Sequence, residues 1–244
     1  MTSPTAQPPW PLRPGLNPHS TESVRPVRFL LPGPVVALFF CIFSPCFAQW
    51  EIGGFYGYGW YNSGAIFSSA GTARAGILNR FAAGAYLDDN RWDYVSGELR
   101  YVYHDGHPYL KYNGMRADIQ GQSHAITYDL LFHGKNQERR FLPFAAVGAG
   151  AKGFLIAGPE PFPQPFPQVA TLNGSNQWKF VTDVGGGVKY RLNKYFLVRG
   201  DFRDYITTFP SRELTPPPHG TARGVFNQFT IMLGVSYVFP ERVR

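Results

Sequence analysis

The chain has 244 residues, 44% of them hydrophobic and 16% aromatic, with 27 glycines, 14 tyrosines and 21 phenylalanines. That mix suits an all-β protein better than a helical one; the lack of any apolar run of roughly 18 residues argues against helical membrane spans but not against a barrel, where only alternate residues need be apolar. The formal net charge of +7 comes from scattered Lys and Arg with no basic block longer than Arg139-Arg140, so nucleic acid is not an expected partner.

Residues 1–34 hold nine of the 22 prolines and show little periodicity. Residues 1–26 are therefore expected to be a disordered extension. Arg25 and Arg28 then precede an apolar stretch, 29–43, and Ser44-Pro45-Cys46-Phe47-Ala48 follows it with small residues before Gln49. Basic, apolar, small-x-small is the order of a secretory signal peptide, here 27–48, cut after Ala48. Such a peptide begins near an initiator Met, so the upstream residues are expected to be a gene-model artefact, with the true start near Val27. A short membrane anchor is the rival, and Pro32 and Pro34 weigh against it. Cys41 and Cys46 both fall within the signal, so the mature chain offers no disulfide, zinc-thiolate or cysteine nucleophile. Cys46 lacks the small residues that should precede a lipidated cysteine.

From Gln49 the pattern becomes that of strands. The first, 50–60, is rich in Gly and aromatics. The second, about 73–87, sets Phe81, Ala83, Ala85 and Leu87 on one face and ends in an Asp88-Asp89-Asn90 turn. The third, 91–103, alternates Val95, Gly97, Leu99, Tyr101 and Tyr103 with Ser96, Glu98, Arg100 and Val102. The fourth, about 121–132, places Ile126, Tyr128, Leu130 and Phe132 on its apolar face, and a polar turn at 134–138 leads to a fifth, 140–153, with small residues from Ala145 to Ala151. A connection at 154–176 follows, too dense in proline at 159–167 to pair in a sheet. The sixth strand, 177–192, turns at Arg191-Leu192-Asn193-Lys194 into the seventh, 195–205. After a Pro-rich connection the eighth, 221–239, alternates Phe229, Ile231, Leu233, Val235, Tyr237 and Phe239 with a more polar set.

The connections alternate long and short. Up-and-down antiparallel order then gathers the long ones at one end and the short ones at the other, as outer-membrane barrels do. Aromatics cluster toward both strand ends, as the two girdles of such a barrel would. The fold expected is all-β: an eight-stranded antiparallel up-and-down transmembrane β-barrel over 49–240, with a short tail at 241–244.

Charges sit at mid-strand opposite the apolar faces: Glu98, Arg100, Lys179, Asp183, Lys189, Arg199, Asp201 and Arg203. Facing lipid, each would cost about 2–4 kcal/mol near the midplane, so they are expected to face the lumen and fill it as a salt-bridged plug, with Glu98 and Asp201 paired to arginines. An ion path is the rival, disfavoured because an eight-stranded lumen is just wide enough for side chains to close it.

Gly53-Gly54-Phe55-Tyr56-Gly57, Gly97-Glu98-Leu99-Arg100-Tyr101, Ala146-Val147-Gly148-Ala149-Gly150, Gly185-Gly186-Gly187-Val188-Lys189-Tyr190, residues 197–205 and Gly234-Val235-Ser236-Tyr237-Val238-Phe239 are barrel-wall patterns. On these pieces the chain from Gln49 to Phe239 resembles the small outer-membrane β-barrel proteins of the OmpA/OmpX type, in their single-domain form without a peptidoglycan-binding tail. The resemblance implies a protein of the bacterial cell outer membrane, in the Gram-negative envelope, with a structural or surface-interaction role. It implies as partners the outer-membrane lipids, lipopolysaccharide and the outer-membrane assembly machinery, the last reading Tyr237 and Phe239. It implies a monomer, no cofactor and no enzymatic activity.

Particular residues bear on other functions. Ser123-His124 is the one adjacent pair that a lipid A-modifying enzyme could use, but strand neighbours point to opposite faces. His104-Asp105-Gly106-His107 could hold a metal with a third ligand, and otherwise reads as a solvated turn. A small channel for ions or solutes is the alternative within the membrane. A secreted soluble ligand-binding barrel of the lipocalin kind is the alternative outside it, and would bury Phe196, Val198 and Phe202 while exposing Arg199, Asp201 and Arg203.

Overall fold

The computed structural model describes residues 50–90, 92–134, 140–212, 214–222 and 225–239. The expected extension, signal peptide, tail and most of the 134–138 turn lie outside the described residues. In chain order the strands are β1 (Trp50–Tyr61), β2 (Gly64–Ser68), β3 (Gly71–Ile77), β4 (Arg80–Asp89), β5 (Val95–Asp105), β6 (Pro108–Tyr112), β7 (Met115–Asp118) and β8 (Gly121–His133). After them come β9 (Phe141–Ile156), β10 (Thr171–Leu172), β11 (Gln177–Arg191), β12 (Phe196–Thr208), β13 (Leu214–Thr215), β14 (Thr221–Ala222) and β15 (Val225–Val238).

Eight of these strands close a barrel in the order β1-β15-β12-β11-β9-β8-β5-β4. Each pairs antiparallel with its neighbours, and β15 returns to β1, setting Ser236 opposite Gly53 and Ile231 opposite Tyr58. Closure leaves no strand edge, which a bilayer requires because lipid cannot satisfy unpaired backbone.

The strand period of two sorts the side chains by polarity. On β15, Ile231, Leu233 and Val235 point out and are each more than half exposed, while Gln228, Thr230, Met232 and Ser236 are buried inside. On β12, Phe196 and Phe202 are exposed, whereas Arg199, Asp201 and Arg203 are at most 5% exposed. This is the inverse of a soluble barrel and removes the lipocalin alternative. Exposed aromatics ring both ends: Phe132, Phe141, Tyr190, Phe196 and Phe239 toward the short turns, Tyr56, Tyr58, Phe180 and Phe202 toward the long connections.

The long connections are not simple loops. The single strand expected over 73–87 is two, β3 and β4, because the ladder breaks at Leu78-Asn79. Leu78 N–H donates to the carbonyl of His107, and the Asn79 side-chain oxygen accepts the Tyr61 N–H. The inward face shifts at that break, from Ala73 and Ala75 on β3 to Ala82 and Tyr86 on β4. Likewise the expected eighth strand is divided between β14 and β15, and the third starts at Val95 rather than at residue 91.

β14, β2, β3, β6 and β7 form a five-stranded sheet beyond the barrel, and β10 pairs with β13. The β6–β7 hairpin turns on Asn113-Gly114, both at positive φ (48° and 80°), as a two-residue primed turn requires. One face of the sheet packs into an apolar core with residues from all four long connections, among them Ile66, Ala75, Leu110, Phe166, Leu172 and Phe209. That core sits on Tyr61, Phe154 and Phe226, at the loop ends of β1, β9 and β15, and so caps the mouth.

Candidate functional site: the charged lumen

Because inward positions of eight strands converge on one narrow axis, charges from distant parts of the chain meet there. Nearest the short turns, Lys189 Nζ donates to Glu51 Oε2 at 2.7 Å and to Asp88 Oδ2 at 2.5 Å, and Ser236 Oγ donates to the other Glu51 oxygen at 2.7 Å. Arg199 Nη1 lies 3.7 Å from Asp88 Oδ2, which links this group to the next. There Glu98 receives Arg199, Arg100 Nη1 at 3.2 Å and Arg203 Nη2 at 3.1 Å. Asp201 takes both terminal nitrogens of Arg100, at 2.8 and 3.1 Å, together with Arg199 Nε at 3.1 Å. The guanidinium groups also stack on rings: Arg100 lies 4.2 Å from the Phe55 centroid, and Arg199 lies 4.5 Å from Tyr86 and 4.6 Å from Phe144. Burying such charges is tolerable only when each is paired and hydrogen-bonded.

Further toward the cap the pairing is less complete. Arg203 Nη1 lies 2.9 Å from Asp183 Oδ2 and 3.1 Å from Asp129 Oδ2, so two carboxylates share one nitrogen. They flank Gly148, where an added Cβ would press on both Asp129 Oδ1 and Asp183 Oδ1 and so force the carboxylates to move. Above them Lys152 is fully buried, donates to Gln228 Oε1, and is surrounded by the rings of Tyr61, Phe154 and Tyr205 at 4.7, 5.2 and 5.9 Å. Tyr61 and Phe154 belong equally to the cap's core, so the lysine layer lies directly beneath it.

The same architecture recurs among solved structures. OprG from Pseudomonas aeruginosa superposes with a TM-score of 0.53 at 13% identity, covering 80% of this chain and 97% of that one. Neisserial surface protein A matches at 0.47 and 12%, covering 78% and 97%, and the outer membrane protein AlkL in lipid bilayers at 0.46 and 15%, covering 81% and 92%. No family model and no curated protein sequence matches the chain. The closed eight-stranded barrel with its apolar outside and charged inside decides the fold type. It has the fold of the small outer-membrane β-barrels of the OmpA/OmpX type.

Of the charges expected in the lumen of this barrel, Glu98, Arg100, Asp183, Lys189, Arg199, Asp201 and Arg203 meet in one network. Lys179 does not join it: near the loop end of β11, its Nζ donates to Thr208 Oγ1 at 3.1 Å on the rim, where solvent solvates the ammonium. Three carboxylates that sequence reasoning missed complete the network: Glu51, Asp88 and Asp129. Parity could have found Asp129, which lies between the outward Tyr128 and Leu130, and Glu51, which precedes the outward Ile52. Asp88 was masked by the turn-like composition of Asp88-Asp89-Asn90. Tyr237 and Phe239 lie at the turn end of β15, where Tyr237 stacks on Tyr195 with centroids 6.0 Å apart and meets Phe239 edge-on at 5.2 Å.

Ser123 and His124 face opposite sides of β8. Ser123 Oγ shares a 2.9 Å hydrogen bond with the Tyr61 hydroxyl inside, and His124 Nδ1 shares one of 2.7 Å with the Tyr101 hydroxyl outside. His104 is buried in the lumen, while His107 lies 3.5 Å from Asp105 and 3.9 Å from Asp118. Among the described residues no group of three or more His, Cys, Asp or Glu is placed to hold a metal ion.

Proposed function

We propose that this outer-membrane barrel is a closed wall element that presents its capped outer surface for interaction, rather than a conduit. The observation carrying the reading is the ion-pair network spanning the lumen from Glu51 to Arg203, in a barrel whose bore side chains can fill. The apolar cap over Tyr61, Phe154 and Phe226 supports it as a second closure. Planar-bilayer recording of the refolded protein tests it. The expected trace shows no discrete, long-lived openings; steady ohmic steps from correctly folded protein would favour the small-channel alternative instead. We further propose that Tyr237 and Phe239, aromatic and outward at the end of β15, are what the outer-membrane assembly machinery reads.

A further inference from the structure

The five-stranded outer sheet ends in two edges of different kinds. β14 is two residues long and follows Pro216-Pro217-Pro218, which blunts that edge. β7, at the other end of the order, carries no proline, and no strand pairs with its outer side. The two-residue turn makes Tyr112 and Met115 a hydrogen-bonded pair, and antiparallel alternation fixes the rest. The backbone groups of Met115 and Ala117 face β6, and those of Arg116 and Asp118 face the open side. The same alternation holds just past the strand. Ile119 N–H donates back to the carbonyl of Pro108, and the Gln120 carbonyl, on the open side, accepts the N–H groups of Ala157 and Gly158. The chain therefore covers this edge itself at Gln120. It leaves the edge bare at Arg116 and Asp118, whose backbone groups have no partner on that side among the described residues.

The charges along the edge point to what covers it. Arg74 on β3 lies opposite Lys111 on β6, and Lys111 opposite Arg116 on β7, so three exposed cations run in a row to the edge. Like charges directly opposite one another destabilise a sheet. The acid on β7 is Asp118, exposed on the same face as Arg116 and 3.8 Å from its Nε. An antiparallel second copy of β7, centred so that Ala117 meets Ala117, sets Asp118 of that copy opposite Arg116, and Arg116 of that copy opposite Asp118. The arrangement is two-fold symmetric and self-complementary. It also makes the bare backbone groups of Arg116 and Asp118 into hydrogen-bonded pairs on both sides of the axis. Centring on Arg116 or Asp118 instead would pair like charges.

We propose that β7 is a homodimerisation edge, at which two copies of this chain join their outer sheets by antiparallel β7–β7 pairing centred on Ala117. The proposal rests on the surface-interaction reading above and names its partner, in place of the monomer that the family resemblance implies. A four-residue edge buries little area, so the dimer is weak and concentration-dependent. Cysteine crosslinking captures it, because the chain from Gln49 onward contains no cysteine. In this register the two Ala117 residues form a non-hydrogen-bonded pair with Cα atoms roughly 4.5 Å apart, within the span of a disulfide. The two Met115 residues stand roughly 14 Å apart along the strands, beyond that span, although Met115 is 61% exposed and Ala117 only half-exposed.

The refolded mature protein in detergent is oxidised with copper-phenanthroline over a range of protein concentrations. Ala117→Cys is expected to give a disulfide dimer, and Met115→Cys on the order of ten-fold less. Adding Arg116→Glu or Asp118→Arg to Ala117→Cys sets like charges opposite at both pairs and should cut crosslinking roughly ten-fold. Mixing those two variants brings unlike charges together again and should restore it. Heat-modifiable gel migration checks that each variant is folded. Equal crosslinking at residues 115 and 117, or crosslinking that ignores the charge reversals, overturns the pairing. Absence of a dimer from folded Ala117→Cys overturns the second copy as occupant and leaves the edge to a strand from another protein. Bilayer recording on the same preparation keeps this idea apart from the closed-lumen reading: a protein that conducts yet dimerises loses only the latter, and one that stays closed without dimerising loses only the dimer.

Discussion

Asp201 and Asp129 are both buried carboxylates that face arginine, yet their surroundings predict different consequences when either is neutralised. Asp201 receives Arg100 through two parallel bonds and Arg199 through a third. Converting it to Asn leaves two guanidinium groups short of an anion in a closed lumen, and breaking a buried pair from one side typically costs about 3–5 kcal/mol. Asp129 instead competes with Asp183 for a single nitrogen of Arg203, and neither of its oxygens makes a hydrogen bond among the described residues. Asp129→Asn removes a repulsion between neighbouring carboxylates and keeps the Arg203–Asp183 bond, so no buried charge loses its last partner and a much smaller cost than for Asp201→Asn is expected. Urea titration of the protein refolded in detergent, read by heat-modifiable gel migration, should show a clear drop in midpoint for Asp201→Asn and little for Asp129→Asn. Equal drops would mean that charge count, rather than hydrogen-bond geometry, sets the stability of the plug.

β15 illustrates how much a period of two can reveal. Its inward and outward sets are read correctly from alternation, and its partnership with β1 follows once eight strands and sorted connections are in view. The outer sheet was not legible in the same way. Its strands are short, β7 having four residues and β14 two, and β3 takes partners on both sides that no local pattern names, including Lys111 opposite Arg74. Ala73 and Ala75 carry too little apolar contrast to reveal that the buried face changes parity at Leu78-Asn79. Pairing also sets Lys111 between Arg74 and Arg116, three charges that look isolated along the chain. Alternation also cannot say what the end of a strand is for. Tyr237 and Phe239 add aromatic contact at the turn end, but an assembly role predicts a separation between cell and test tube. The Tyr237→Ser/Phe239→Ser variant should reach the outer membrane at several-fold lower levels, while the purified variant refolds from urea into detergent nearly as well as the parent. Comparable losses in both assays would assign these rings to stability alone.

The barrel and its outer sheet together place two closures in series along one axis, built on different physics. The ion-pair network holds by electrostatics across the middle of the lumen and draws on strands from both ends of the chain, with Glu51 on β1 meeting Lys189 on β11 and Glu98 on β5 meeting Arg199 on β12. The cap holds by apolar burial, with side chains from every long connection seated on Tyr61, Phe154 and Phe226. Water and ions must pass both, so removing one should not open the lumen. Trimming the plug in charge-balanced fashion, Glu98→Ser, Arg100→Ser, Arg199→Ser and Asp201→Ser together, avoids leaving a single buried ion without its partner. That variant should still be silent in a planar bilayer because the cap remains. A second variant, with residues 64–76 replaced by a Gly-Ser linker, loses β2 and β3 and with them Ile66, Ala73 and Ala75 from the cap; it too should be silent because the plug remains. Only the combined variant is expected to show conductance, provided gel migration confirms a folded barrel. Openings from the cap deletion alone would show that the ion pairs yield to water without help, and a folded combined variant that stays silent would place the decisive closure elsewhere, with the buried Lys152–Gln228 layer and its ring of aromatics as the next element to trim.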